Sequence, residues 1–117
     1  MESILRSIKF LLGVNPDHEY FDNELILHIN SVFGILRQLG VGPENGFQIT
    51  GMTETWDDFL GEDDPYYTMV RSYIAQKVRL MWDTSSITGA VLESIQRNVA
   101  EFEWRLNIEY ESRKKGE

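Results

Sequence analysis

Two histidines, His18 and His28, are the only imidazoles in a 117-residue chain that has no cysteine. Their separation makes neither H-x-x-x-H nor any other ligand spacing, so they read as surface or capping residues and not as a metal site. Without cysteine there is no disulfide, no thiolate nucleophile and no Cys-based zinc site. Carboxylates are the chemistry that remains. Asp57-Asp58 and Glu62-Asp63-Asp64 stand as adjacent groups, whereas a calcium loop needs oxygen ligands at alternate positions, then a glycine and a distal Glu. Asn15-x-Asp17-x-Glu19 does alternate, but Tyr20 stands where the glycine belongs. These acids therefore read as a solvated loop and as helix caps, and neither a metal nor a cofactor is expected. Paired carboxylates can serve acid–base catalysis, yet any chain this acidic offers such pairs. G-x-S-x-G, the P-loop and G-x-G-x-x-G are all missing, and Gly40-Val41-Gly42 lacks the third glycine and follows a helical pattern instead of a strand. The sequence reads as a non-enzyme, with no catalytic residue.

Composition narrows the class further. The chain carries 19 acids against 11 bases, a formal charge of −8. Non-specific nucleic-acid binding and binding to an anionic membrane both need clustered Lys and Arg, so both are disfavoured. With 42% hydrophobic residues, including three Trp, five Tyr and six Phe, the chain is not a disordered acidic tail. Met1-Glu2-Ser3 offers no basic n-region, and the apolar runs fall far short of the ~20 residues that span a bilayer. Synthesis and retention in the cytoplasm are the expectation. The length predicts one domain. Its boundaries are residues 1–110, followed by a flexible tail, 111–117, that contains Arg113-Lys114-Lys115.

The elements that must position these residues are helical. Ile4, Leu5, Ile8, Leu11 and Leu12 make one face of a helix over Glu2–Leu12, ended by Gly13. A second helix is predicted from Asp22, as N-cap, to Leu39, with Leu25, Ile29, Val32, Phe33, Leu36 and Leu39 on its apolar stripe and Ile26 and Ile35 widening it. Gly34 in its middle predicts a close helix–helix approach. Glycines and Pro43 break the pattern over 41–53. Within that stretch Phe47-Gln48-Ile49-Thr50 alternates like a short strand, which needs a partner, here or on a neighbouring subunit. A short amphipathic turn holds Trp56, Phe59 and Leu60. A third long helix is predicted from Pro65, behind Asp64 as N-cap, to Trp82. Asp83-Thr84-Ser85-Ser86 is a polar connector. The last helix is predicted from Thr88 to Glu109, with Leu92, Ile95, Val99, Phe102 and Leu106 as a coiled-coil-like seam in the subunit core and Trp104 off that seam. The fold class is mainly α: a small bundle of four to five helices with one long loop carrying a strand-like segment.

Aromatic residues are numerous for so few helices. Tyr73 and Phe102 read as core. Trp56 and Phe59 sit in a short acidic segment, and an aromatic anchor ringed by charge reads equally well as core or as a protein–protein contact. The candidate interface set is Phe47, Ile49, Trp56, Asp57, Asp58, Phe59 and Trp104.

Three stretches carry a family resemblance. They are His28-Ile29-Asn30-Ser31-Val32-Phe33 through Leu36-x-x-Leu39-Gly40-Val41-Gly42-Pro43; Thr55-Trp56-x-Asp58-Phe59-Leu60-Gly61 with Tyr73-Ile74-x-x-Lys77-Val78-Arg79-Leu80; and Leu92-Glu93 through Glu101-Phe102-Glu103-Trp104-Arg105-Leu106-Asn107. Together they resemble the phage head–tail connector family, the gp6-like adaptors of long-tailed phages and prophages, most of all the versions from Gram-positive hosts. The last motif is the most specific. At Asp83-Thr84-Ser85-Ser86 the chain departs from a proline-containing turn. The resemblance implies a helical, non-enzymatic virion protein made in the bacterial host cytoplasm. It implies a ring, usually dodecameric, at the head–tail interface. That ring docks beneath the portal protein, extends the DNA channel without binding DNA specifically, and offers a surface to the next head-completion or tail protein. No catalytic residue and no cofactor come with it. Two other readings stand beside it: an acidic DNA mimic that titrates a host protein, and a small cytosolic helical adaptor.

The acidity itself is local. Residues 53–64 hold six acids and no Lys or Arg, and the remainder of the chain carries 13 acids and 11 bases. The segment that surrounds Trp56 and Phe59 is thus the first place to look for a partner.

Overall fold

The computed structural model describes residues 2–82 and 87–115. Five helices follow in order: α1 (Ile4–Leu11), α2 (Asp22–Gln38), α3 (Trp56–Leu60), α4 (Tyr67–Met81) and α5 (Gly89–Lys115). The expected helical bundle is what forms. The polar connector 83–86 lies outside the described residues.

α4 is the central element, because α1, α2 and α5 all pack against it. Its Val70, Tyr73, Ile74 and Val78 are fully buried. They meet Ile4, Leu5 and Ile8 from α1, Leu25, Ile29, Val32 and Leu36 from α2, and Val99, Leu106 and Tyr110 from α5 in one cluster. α1 starts at Ser3, whose Oγ accepts the Arg6 N–H at 3.3 Å, which satisfies one of the helix's orphan donors. Ile4 N–H donates to Glu54 O at 3.0 Å, so the start of α1 is pinned beside the start of α3.

Lys9 departs most from sequence intuition. Its side chain is fully buried, although lysine almost never is. Its Nζ donates to Pro16 O at 3.0 Å, to His18 O, and to Asp22 Oδ1 at 2.6 Å. Asp22 is therefore not the N-cap of α2. It is the first helical residue, Phe21 occupies the cap position, and the carboxylate turns back to neutralise a buried ammonium. One cation thus folds the whole 13–22 connection onto α1.

Two glycines exchange roles. Gly34 marks no close approach within the subunit, since nothing lies within 4 Å of where a Cβ would stand. It faces solvent, and an interior helical glycine costs up to ~1 kcal/mol relative to alanine. The close approach is at Gly42 (φ 87°), where a Cβ would run into the Phe59 ring.

The strand-like segment has no strand partner. Among the described residues the sole β-bridge joins Ser3 and Thr55. Instead the Asn30 side chain reads Ile49 as a neighbouring strand would: Ile49 N–H donates to Asn30 Oδ1 at 2.8 Å, and Asn30 Nδ2 donates to Ile49 O at 3.0 Å. One side-chain amide replaces a ladder rung and lets Ile49 be 1% exposed.

Replacing Lys9 with methionine keeps the apolar stem but leaves Asp22 and two carbonyls without their donor. We expect Lys9→Met to lose about 3 kcal/mol in urea unfolding, and Asp22→Asn, which keeps an acceptor, to lose about 1 kcal/mol.

Candidate interaction surfaces

α3 is only five residues long, and it forms because Thr55 and Asp58 cap it reciprocally. Asp58 N–H donates to Thr55 Oγ1 at 3.3 Å, and Thr55 N–H donates to Asp58 Oδ2 at 2.9 Å. The cap aims Trp56 inward. The indole is 1% exposed, packs edge-on to Tyr67 at 5.6 Å, and donates from Nε1 to Ser7 Oγ at 3.0 Å. Ser7 in turn donates to Ser3 O at 2.9 Å, so the polar end of the buried tryptophan is satisfied. Phe59 closes an aromatic triad with Phe33 at 4.6 Å and Phe47 at 5.2 Å. Trp56, Phe59 and Ile49 are thus core residues. The alternative of a direct contact falls for these three, because their surface is already spent within the subunit. Phe47 is half-buried in the triad and keeps one side open.

The acidic segment divides in the same way. Asp58 is a cap. Glu54 accepts Thr50 N–H at 3.0 Å and Thr50 Oγ1–H at 2.9 Å. Burial pushes this carboxyl up, but the hydrogen bonds from Thr50 and from the nearby backbone outweigh it and hold it below its ordinary range. Asp64 Oδ1 accepts Tyr66 N–H at 2.8 Å, a local turn that delays α4 to Tyr67 instead of starting it at Pro65. Asp57, Glu62 and Asp63 make no hydrogen bond or ion pair through their carboxylates among the described residues. Asp57 and Asp63 border a hollow of about 290 Å³ above Trp56 and Tyr67.

α5 is held to the body by phenols that donate to carboxylates. Tyr73 donates to Glu103 at 2.7 Å, Tyr66 to Glu109 at 2.6 Å and Tyr110 to Asp64 at 2.9 Å. Arg113 adds an ion pair to Asp64 at 3.1 Å, with its guanidinium 4.6 Å from the Tyr110 ring centroid and 5.1 Å from that of Tyr66. Burial, reinforced by the carboxylate each one serves, pushes the Tyr73 and Tyr110 phenols well above their ordinary value. The hydrogen bond to Glu109 raises Tyr66 as well. These contacts carry α5 on to Lys115, beyond the predicted end at Glu109, and the chain around Arg113 is bound to Asp64 instead of trailing free. The helix begins as expected beside Thr88, whose Oγ1 accepts Val91 N–H at 3.4 Å.

The seam on α5 is covered only in part. Val99 and Leu106 are buried, Ile95 and Phe102 are partly buried against the core, and Leu92 is left outside it. On the opposite face Trp104 is 65% exposed and Ile108 42%. Trp104 joins none of the aromatic groups, so the structure does not bring it together with the Trp56–Phe59 set. Of the seven candidate residues, the outward-facing ones are Trp104, Asp58, Asp57 in part and Phe47 in part. Sequence reasoning missed Asn30, Lys9 and the Tyr–carboxylate pairs. Asn30 sits beside an apolar stripe, where a polar residue needs a reason. The others carry no local signal, because their partners lie far along the chain.

Comparison with known proteins fits this architecture. A family model described as phage connector protein matches residues 4–113. The chain belongs to the phage connector protein family. All three stretches that carried the resemblance lie inside the matched region. Among curated proteins and among solved structures, neither search finds a match. A connector is a phage structural component, and no described helix of this one is long and apolar enough to cross a membrane.

Core and surface aromatics in this connector should separate cleanly. Trp56→Ala is expected to lose about 3–5 kcal/mol in urea unfolding, and Trp104→Ala less than about 0.5 kcal/mol. The phenols predict an alkaline dependence. Both Tyr73 and Tyr110 titrate above the ordinary 10.0, so their contribution is complete below that pH and is lost as pH rises through the folded values. The wild type should therefore lose more stability between pH 9 and about 12 than the Tyr73→Phe, Tyr110→Phe double variant, which should itself be weaker by about 2 kcal/mol at pH 8.

Proposed function

We propose that this connector is a non-catalytic ring subunit at the phage head–tail interface. It docks beneath the portal protein, extends the DNA channel and presents a surface to the next head-completion or tail protein. The observation that carries this reading is the family match over residues 4–113, nearly the whole chain. A dodecameric ring in the virion is the form we propose. Exposed Trp104 and Ile108 on α5 support it, since large apolar groups on a helix face suit contact with another protein. Trp104, Asp57 and Asp58 are the residues we assign to such contacts, with the open side of Phe47. The acidic surface suits a conduit, because DNA in transit must not adhere to the wall.

The DNA-mimic reading loses support from the acidic segment. A mimic needs its carboxylates arrayed outward, and here Glu54, Asp58 and Asp64 are engaged within the subunit.

Assembly is the test. Negative-stain microscopy of the purified protein, alone and mixed with the portal of the same phage, should show rings. A monomer that ignores the portal and captures a host regulator would overturn the reading. Duplex DNA at low salt should bind weakly, with Kd above about 10⁻⁴ M.

A further inference from the structure

Gly34 stands at the floor of an open groove of about 480 Å³ on the outward face of α2. Asn30 and Arg37 from the same helix line one wall, and Gly46, Phe47 and Gln48 from the loop line the other. Within the subunit nothing requires a glycine at 34: its φ is ordinary and no atom lies near its missing Cβ. The groove is also unfinished. Among the described residues Arg37 finds only the backbone oxygen of Glu44, at 2.7 Å, and no carboxylate. The backbone groups of Phe47 and Gln48 make no hydrogen bond among the described residues, while those of the next residue, Ile49, are both taken by Asn30.

A second incomplete surface sits on α5. None of its first ten residues, Gly89 to Asn98, is buried, and of them Ile95 alone packs against the core cluster. Val91 is 49% exposed, and Leu92 and Ile95 are only partly covered. Ten helical residues make a rod about 15 Å long. Its small residues, Gly89, Ala90 and Ser94, permit close packing. Glu93 is its one carboxylate and Arg97, a turn further on, its one base, and neither side chain has a partner among the described residues.

We infer that the start of α5 from a second copy of this chain lies in the Gly34 groove. The two surfaces complement each other: a helix lacking cover meets a groove whose floor has had its side chain removed, and Glu93 of the one meets Arg37, the lone charge lining the other, while Arg97 stays toward the rim. They belong to different elements, α2 and α5, that flank α4. The contact is therefore heterologous, the kind that closes rings. This inference rests on the ring reading above and names the contact that builds it.

The absence of cysteine gives a direct test in the full chain. Gln48→Cys with Ser94→Cys should yield, under mild oxidation during assembly, a ladder of covalent oligomers on a non-reducing gel. Either single variant should give dimers at most. Arg37→Glu and Glu93→Arg should each weaken assembly by about tenfold or more, and the double exchange should recover most of that loss. Gly34→Ala should raise Tm in the dissociated protein yet reduce ring formation, a pair of effects that a purely structural glycine would not produce. Rings that form normally in Gly34→Ala, with no ladder from the cysteine pair, would overturn this contact while leaving the ring reading intact. Failure of the wild type to form rings even with portal would overturn both.

Discussion

The indole of Trp56 is packed at 1% exposure in a segment where every charged side chain is a carboxylate. Placing it there determines much of what surrounds it. An indole N–H taken out of water needs an acceptor, and Ser7 on α1 supplies it. That bond, with Ile4 N–H to Glu54 O, ties α1 to the end of the long loop. Once Trp56 is inward, α3 has a fixed axis, Phe59 falls against Phe33 and Phe47, and Gly42 must be a glycine to let that ring pass. The carboxylates that flank the indole are then forced to the rim, where three of them find backbone, hydroxyl or guanidinium donors.

The helices were legible because their apolar spacing is a local property. α1 and α2 start or end within a residue or two of where their patterns and glycines put them. The failures share a cause. Asp22 looks like a cap because a cap is what an Asp before an apolar run does locally; its actual partner is a lysine 13 positions away, buried against expectation. Phe47–Thr50 looks like a strand because alternation is all the sequence displays, and nothing in it announces that one asparagine amide will take both edge groups of Ile49. The end of α5 looked frayed because charged residues dominate it, yet Tyr110 and Arg113 are retained by Asp64, 46 and 49 residues earlier. Of the candidate interface, aromatic type pointed to importance without separating core from surface. Trp56 and Trp104 are the same residue type with opposite exposures, and only the third dimension distinguishes them.

α5 is asymmetric in how it is held. Its C-terminal half is fastened by three phenol–carboxylate hydrogen bonds and a guanidinium stacked over two rings. Its N-terminal half has neither. The apolar seam nonetheless runs through both halves with one period, from Leu92 to Leu106. A seam that continues past its own core is under-used by the monomer, and the solvent-facing glycine of α2 is under-used in the opposite sense. In a protein of the connector family, whose members work in contact with other particle components, two such mismatches in one chain are better accounted for together than as separate flaws.

The charge of −8 then takes on a more specific meaning. In residues 53–64 the carboxylates of Glu54, Asp58 and Asp64 serve capping, turn formation and the anchoring of α5, so their field is largely answered inside the subunit. Asp57, Glu62 and Asp63 remain without a partner among the described residues, and Asp57 and Asp63 border one hollow instead of spreading along a surface. Repulsion of DNA needs no regular array: a few unpaired carboxylates per subunit, repeated around a ring, overlap within a Debye length of ~8 Å at physiological salt. Recognition by a DNA-binding protein would need the reverse, an ordered row at phosphate spacing. What these acids can do is keep a wall non-adhesive, and this is the property a proposed DNA conduit requires and a decoy does not.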